Sequence, residues 1–254
     1  MLRRVFLTAA LWLAIAGAVQ AGEPPVIAAA ADLKFALTEI AARFKGETGV
    51  QVNLTFGSSG NFYQQIQQGA PFELFLSADE NYVAQLAKDG KTVDEGILYG
   101  IGEVVLYTSA KSHLKADKAL ADLRQALGDG RVKHFAIANP EHAPYVRAAK
   151  QALEHQGLWG KVAPVVVLGE NVAQAAQFIT SGAADGGIIA YSLALSPELR
   201  TAGTYVLLPP SWHEPIRQRM VLLKKAGPDA RKFYDYLQQA TSRKILERYG
   251  FTIP

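Results

Sequence analysis

The chain has no cysteine at all, so a disulfide framework, thiolate metal sites and a cysteine nucleophile are excluded. It has no apolar run long enough to cross a bilayer, which takes about 20 residues; even Val5 to Val19 falls short. Lys and Arg are scattered among acids, with no basic stripe interleaved with aromatics, so no nucleic-acid partner is expected. Catalytic and nucleotide fingerprints are missing too. Gly57-Ser58-Ser59-Gly60 is not the G-x-S-x-G of a nucleophile elbow, and no phosphate loop or dinucleotide motif occurs. The five histidines stand apart, with no two at the i, i+4 spacing of a helical zinc site. His142 reads as a turn or surface residue. No cofactor, no protein metal site and no enzymatic activity are expected.

What is there begins with an export signal. Met1-Leu2-Arg3-Arg4 precedes the apolar run, and Val19 and Ala21 supply the small residues that a signal peptidase needs. Residues 1–21 therefore read as a signal peptide, and the mature chain starts at Gly22. Arg3-Arg4-Val5-Phe6-Leu7 also resembles a twin-arginine signal, but the strongly apolar run favours the general secretory route. Loss of two arginines lowers the formal net charge from +3 to +1, so the basic pI says little about the mature protein. A periplasmic location is expected. The roughly 230 residues that remain, with no covalent staples, must rest on real hydrophobic cores.

Along the chain, short apolar strands alternate with amphipathic helices. Val26 to Ala31 predicts a strand and Asp32 to Phe44 a helix with Leu33, Leu37, Ile40 and Phe44 on one face, ended by Gly49. Val50 to Phe56, Phe72 to Leu76, Val104 to Thr108, Val132 to Ala138, Val162 to Leu168, Gly186 to Tyr191 and Tyr205 to Leu208 predict further strands. Helices are predicted over 62–68, 82–88, 120–127, 145–156, from Glu170, and over 233–249. Such alternation implies mainly parallel sheets covered by helices, with ligands at the carboxyl ends of the strands. No Ser/Gly-rich linker divides the chain, and two strand crossings are expected near 104–108 and 205–208. The expected fold is therefore α/β and two-lobed, with residues 22–104 and 209–254 in lobe I, 105–208 in lobe II, and the ligand between them.

One kind of turn recurs, presenting backbone N–H groups at a helix start: Ala31-Asp32, Ser58-Ser59, Pro144-Tyr145 and Asn171-Val172. The first amides of a helix are unpaired and carry the positive end of the peptide dipoles, which suits an anion. A single turn of this kind is also an ordinary N-cap. Four of them in two lobes suggest a compact anion held by amides and hydroxyls rather than by salt bridges.

Ala28 to Phe44, Phe56 to Ile66, Gly69-Ala70-Pro71 to Asp79, Asn139-Pro140-Glu141-His142, Phe233 to Leu237 and Arg248 to Ile253 together resemble the periplasmic molybdate-binding protein family. The resemblance covers essentially the whole mature chain in family order. It implies a class II binding-protein fold and a monomer that closes on molybdate or tungstate. The closed form would deliver the ion to the membrane permease of an ABC importer. It places the family's two first-lobe ligand serines on Asp32 and Ser59, a second-lobe ligand on Tyr145, and a backbone N–H donor on Val172. The family's hydroxyl-donating tyrosine falls on Ala190, with Tyr191 one residue later. Successive strand residues face opposite ways, so Tyr191 serves only if the strand bulges or ends there.

Asp32 departs from the pattern. A carboxylate a few ångströms from an anion is repelled by roughly 4 kcal/mol per charge pair at an effective dielectric of 20. Lys34 could compensate, Asp32 could serve as a helix N-cap, or it could accept a proton from the ligand; the N-cap is the expected role, Asp being among the best caps. Two alternatives stand beside a molybdate or tungstate binder. One is the same fold binding a protonated oxyanion such as phosphate, and the other is a hydrolase with Ser59 as nucleophile.

Overall fold

The computed structural model describes residues 23–139 and 144–254. The expected signal peptide and residues 140–143, with His142 and its expected turn, lie outside the described residues. The first half-lobe runs β1 (Val26–Ala30), a 3-10 turn (Ala31–Leu33), α1 (Lys34–Thr48), β2 (Asn53–Gly57), α2 (Ser59–Gln67), β3 (Leu74–Ser77), α3 (Glu80–Lys88) and β4 (Ile97–Gly102). Glu103 then carries the chain into β5 (Val104–Ser109), α4 (Ala121–Gly128), β6 (Phe135–Ala138), α5 (Pro144–His155), α6 (Trp159–Val162), β7 (Val166–Gly169), α7 (Val172–Ser181) and β8 (Gly186–Ala190). After α8 (Tyr191–Ala194), α9 (Pro197–Ala202) and β9 (Gly203–Leu207), the chain returns through β10 (Ile216–Leu222), α10 (Pro228–Leu237) and α11 (Ala240–Arg248).

Two five-stranded sheets result, ordered β2-β1-β3-β10-β4 and β7-β6-β8-β5-β9. The strands that alternate with helices pair in parallel, β1 with β2 and β3, and β6 with β7 and β8. The crossing strands do not. β10 is antiparallel to β3 and β4, and β5 is antiparallel to β8 and β9, so each sheet is mixed. The strand period of two sorts the first sheet's side chains onto two cores. Ile27, Ala29, Leu74, Leu76, Met220 and Leu222 pack on one face with α1, α10 and α11. Ala28, Phe75 and Val221 pack on the other with Phe62, Ile66, Val83 and Leu86 of α2 and α3. The second sheet is buried in a third, larger core.

Helix α1 carries Leu37, Ile40 and Phe44 inward and stops at Gly49 in the left-handed conformation (φ 73°), which glycine adopts without strain. Several boundaries differ from the sequence reading. The last helix is two, because Gln239 is extended and Ser242 Oγ donates to the Tyr236 carbonyl across the break. Residues 162–165 close a short helix and a 3-10 turn at Pro164, so only Val166–Gly169 is strand. Strands β4 and β10 are not among those that the sequence pattern predicts. β10 buries Ile216, Gln218 and Met220 and turns Arg217 outward, so its alternation is clear once Gln218 is read as an inward residue.

Candidate functional site

Four helix or 3-10 starts meet at one cavity. Its walls are Ala30 to Asp32 at the end of β1, Gly57 to Ser59 between β2 and α2, Ala78 after β3, Pro144 and Tyr145 at the start of α5, and Asn171 and Val172 at the start of α7. The space it encloses is small, nearer to that of a single water molecule than to that of a metabolite. Each wall is the carboxyl end of a parallel strand or the turn that follows it, which is where such sheets place their ligands. Asp32, Ser59, Tyr145 and Val172, four of the five residues singled out from the sequence, come together here.

The donors can be assigned one by one. Ser58 is the cap of α2, its Oγ accepting from the Asn61 amide at 3.3 Å. Ser59 is therefore free of capping duty. Its Oγ accepts the Ala78 amide at 2.9 Å, which leaves the hydroxyl proton for another acceptor. Asn171 caps α7 through the amides of Ala173 and Gln174 at 3.0 and 3.1 Å. The Val172 amide, one residue earlier, is passed over by the cap and is left as an unpaired helix-start donor among the described residues, on a residue that lines the cavity. Gly57 lets the Phe62 ring pack closely, since a Cβ there would lie a tight 3.0 Å from it.

Asp32 is not an N-cap. The 3-10 turn begins at Ala30 with no side-chain cap, and Asp32 sits inside the turn at 1 % exposure. Its Oδ2 accepts two hydrogen bonds, from Tyr145 Oη at 2.8 Å and from Gln218 Nε2 at 2.8 Å. Gln218 Nε2 also donates to Tyr145 Oη at 2.8 Å, and Tyr99 Oη donates to Gln218 Oε1. Oδ1 has no hydrogen-bond partner among the described residues. Burial pushes the carboxyl up to about 6, against the opposing pull of the Gln218 and Tyr145 hydrogen bonds and the nearby amides of Asp32 and Leu33. The expected compensation by Lys34 is absent: Lys34 is exposed and lies over the Phe35 ring.

Because Tyr145 donates its only hydroxyl proton to Asp32, that hydroxyl has none left for an anion in this arrangement. The same bonds tie the two sheets together across the cleft, since Tyr145 belongs to α5 and Asp32 and Gln218 to the first sheet's side. Ser192 Oγ of α8 adds another tie to the Asp32 carbonyl at 2.8 Å, and Arg147 pairs with Asp79 at the rim.

Tyr191 lies elsewhere. Strand β8 does end at Ala190, as its participation required, but the chain then turns into α8 and carries Tyr191 against Tyr205, with ring centroids 5.7 Å apart, and against Gly250. It does not line the cavity. Gln218, Tyr99 and Ser192 were missed from sequence. The available signal was a polar residue at an inward strand position, Gln218 between Ile216 and Met220.

No group of three or more metal-ligating side chains occurs among the described residues, and none of their helices is long and apolar enough to cross a membrane. Residues 25–252 match the family described as bacterial extracellular solute-binding protein. The chain is 37 % identical to the molybdate-binding protein ModA of Azotobacter vinelandii over 93 % of this chain and 92 % of that one. It is 31 % identical to ModA of Escherichia coli over 98 % and 97 % of the two chains. In three dimensions it superposes on the periplasmic molybdate-binding protein of A. vinelandii with a TM-score of 0.82, covering 91 % of this chain and 99 % of that one at 31 % identity. The sulfate-binding protein SubI of Mycobacterium tuberculosis shares the fold, with a TM-score of 0.72 at 18 % identity over 91 % of this chain and 86 % of that one. The chain belongs to the bacterial extracellular solute-binding proteins and groups among them with the molybdate-binding proteins.

Proposed function

We propose that this protein captures a tetrahedral oxyanion, molybdate and with it tungstate, in the interlobe cavity and hands it to the permease of an ABC importer. The observation that carries the reading is the donor set. Ser59 and Val172 offer a hydroxyl proton and an unpaired amide from opposite lobes, α2, α5 and α7 aim their positive ends at one small cavity, and no Lys or Arg among the described residues lines it. Amides and hydroxyls in fixed positions suit an anion that can only accept hydrogen bonds. On this reading the protein works in the periplasm as a monomer after removal of its signal peptide, and carries out no catalysis. The lobes, residues 22–104 with 209–254 and residues 105–208, close on the ion as units.

A second reading keeps the site and changes the ligand to a protonated oxyanion such as phosphate, favoured by the unpartnered Oδ1 of Asp32, which could accept a ligand proton. Competition calorimetry with molybdate, tungstate, sulfate and phosphate decides between them. Molybdate and tungstate binding tightest is the expected result. Phosphate binding tightest would replace the ligand, and no binding of any oxyanion would overturn the function.

A further inference from the structure

The cavity has one feature that a site for a fully deprotonated oxyanion should not tolerate: a buried carboxylate in its wall with no cation among the described residues beside it. The groups around Asp32 allow one resolution. From α5 comes Tyr145 and from β10 Gln218, both donating to Oδ2. From β4 comes Tyr99, whose hydroxyl goes to Gln218. α8 contributes Ser192, which binds the Asp32 carbonyl, and Tyr191, which lies against Tyr205. Neither β2 nor α7 carries an ionisable residue. The ionised side chains on neighbouring elements are engaged away from Asp32: Lys34 lies over Phe35, Arg147 pairs with Asp79, and Arg217 and Arg219 pair with Glu80. Tyr99 and Tyr145 are both held well above the ordinary tyrosine range by burial, so they stay neutral. Among the described residues, Asp32 is left as the one group of the network that can change charge near neutrality.

The hydrogen-bond pattern also says which oxygen would carry a proton. Oδ2 accepts twice, as the carbonyl oxygen of a carboxylic acid does, while Oδ1 has no hydrogen-bond partner among the described residues, the amides of Asp32 and Leu33 lying near the carboxyl without hydrogen-bond geometry to it, and would be the hydroxyl. A buried hydroxyl without an acceptor is costly, and a tetrahedral dianion in the cavity supplies one. We infer that Asp32 enters the site as a neutral carboxylic acid donating from Oδ1, so that each captured dianion draws one proton from solvent into the protein; this rests on the oxyanion reading above. Tyr145 and Asp32 then act in series. The tyrosine proton goes to Oδ2, and the acid passes one donor onward to the ion. Repulsion between carboxylate and ligand is removed, and capture tightens as the surroundings acidify.

Calorimetric titration with sodium molybdate in buffers of different ionisation enthalpy reads the proton directly. At pH 7.5 wild type should take up close to one proton per molybdate, and its Kd should rise about tenfold per pH unit above the carboxyl's titration, levelling off below it. Asp32→Asn keeps an oxygen for Tyr145 and Gln218 and offers an amide N–H in place of the acid proton. It should bind molybdate with no proton uptake and a flat pH profile. Wild type binding molybdate without proton uptake, or Asp32→Asn taking up the same proton, would overturn the inference and leave the oxyanion reading intact. No molybdate binding by wild type at any pH from 5.5 to 8 would overturn both.

Discussion

Asp32 also makes a prediction about the empty protein. A carboxylate whose folded pKa stands at about 6, against 3.8 for the free side chain, is charged more easily unfolded than folded. Between those values the folded state holds a proton that the unfolded chain has released, so stability falls as pH rises through the window and levels off above it. Below pH 3.8 neither state is penalised. The rise of about two units corresponds to about 3 kcal/mol at pH 7, and full burial leaves solvent little opportunity to screen it. Asp32→Asn removes the charge and keeps the acceptor for Tyr145 and Gln218, at the cost of an amide N–H facing the cavity. In the absence of oxyanion the variant should be more stable than wild type at pH 7.5 by up to about 3 kcal/mol, a gain that shrinks to nothing near pH 4. Urea unfolding of both proteins at steps from pH 4 to pH 8 measures it. A difference that stays constant with pH, or a wild type whose stability increases from pH 4 to pH 6 relative to the variant, would refute the argument that burial governs this carboxyl.

Ser59→Ala should weaken oxyanion binding by about 1.5–3 kcal/mol, the range for a hydrogen bond to a charged group; unchanged affinity by calorimetry would remove Ser59 from the site. Gly102→Ala should break the cross-cleft network, because its Cβ would stand 2.2 Å from Tyr145 Oη and 2.6 Å from Gln218 Nε2. The expected loss is about 1–3 kcal/mol in urea unfolding, and wild-type stability would mean that the network is not held as described. Tyr191→Phe should leave molybdate affinity within about twofold of wild type, since a hydroxyl outside the cavity contributes none of the roughly 1.5–3 kcal/mol of a direct charged hydrogen bond. A tenfold loss would mean that Tyr191 moves into the site when the ion binds.

The strand-helix alternation, the Leu37-Ile40-Phe44 face of α1 and the helix starts at Ser59, Pro144 and Val172 were legible in the sequence, because local periodicity and capping chemistry determine them. The recurring turns marked Ser59 and Val172, and the family resemblance supplied their ligand roles. They sit next to the caps, and a cap determines which amide it leaves over. Gln218 could not be found that way. Its role depends on a strand that returns from the second lobe and lies beside β3, far away in sequence.

Asp32 and Tyr191 mark the boundary most clearly. The sequence by itself determined that an acid stands where the resembling family has a serine, and that a tyrosine follows the Gly-Ile strand one residue late. Local propensity then favoured a cap for Asp32, since an aspartate at a helix start ordinarily turns back onto its own backbone. Tertiary structure decided otherwise. Closing α5 over the 3-10 turn brings the Tyr145 hydroxyl to 2.8 Å from the carboxylate and shuts out water, and the returning β10 supplies Gln218 to the same oxygen. A side chain's partners across a cleft are set by how two sheets dock, and its charge state by how much water that docking removes. Neither quantity is written in the neighbouring residues.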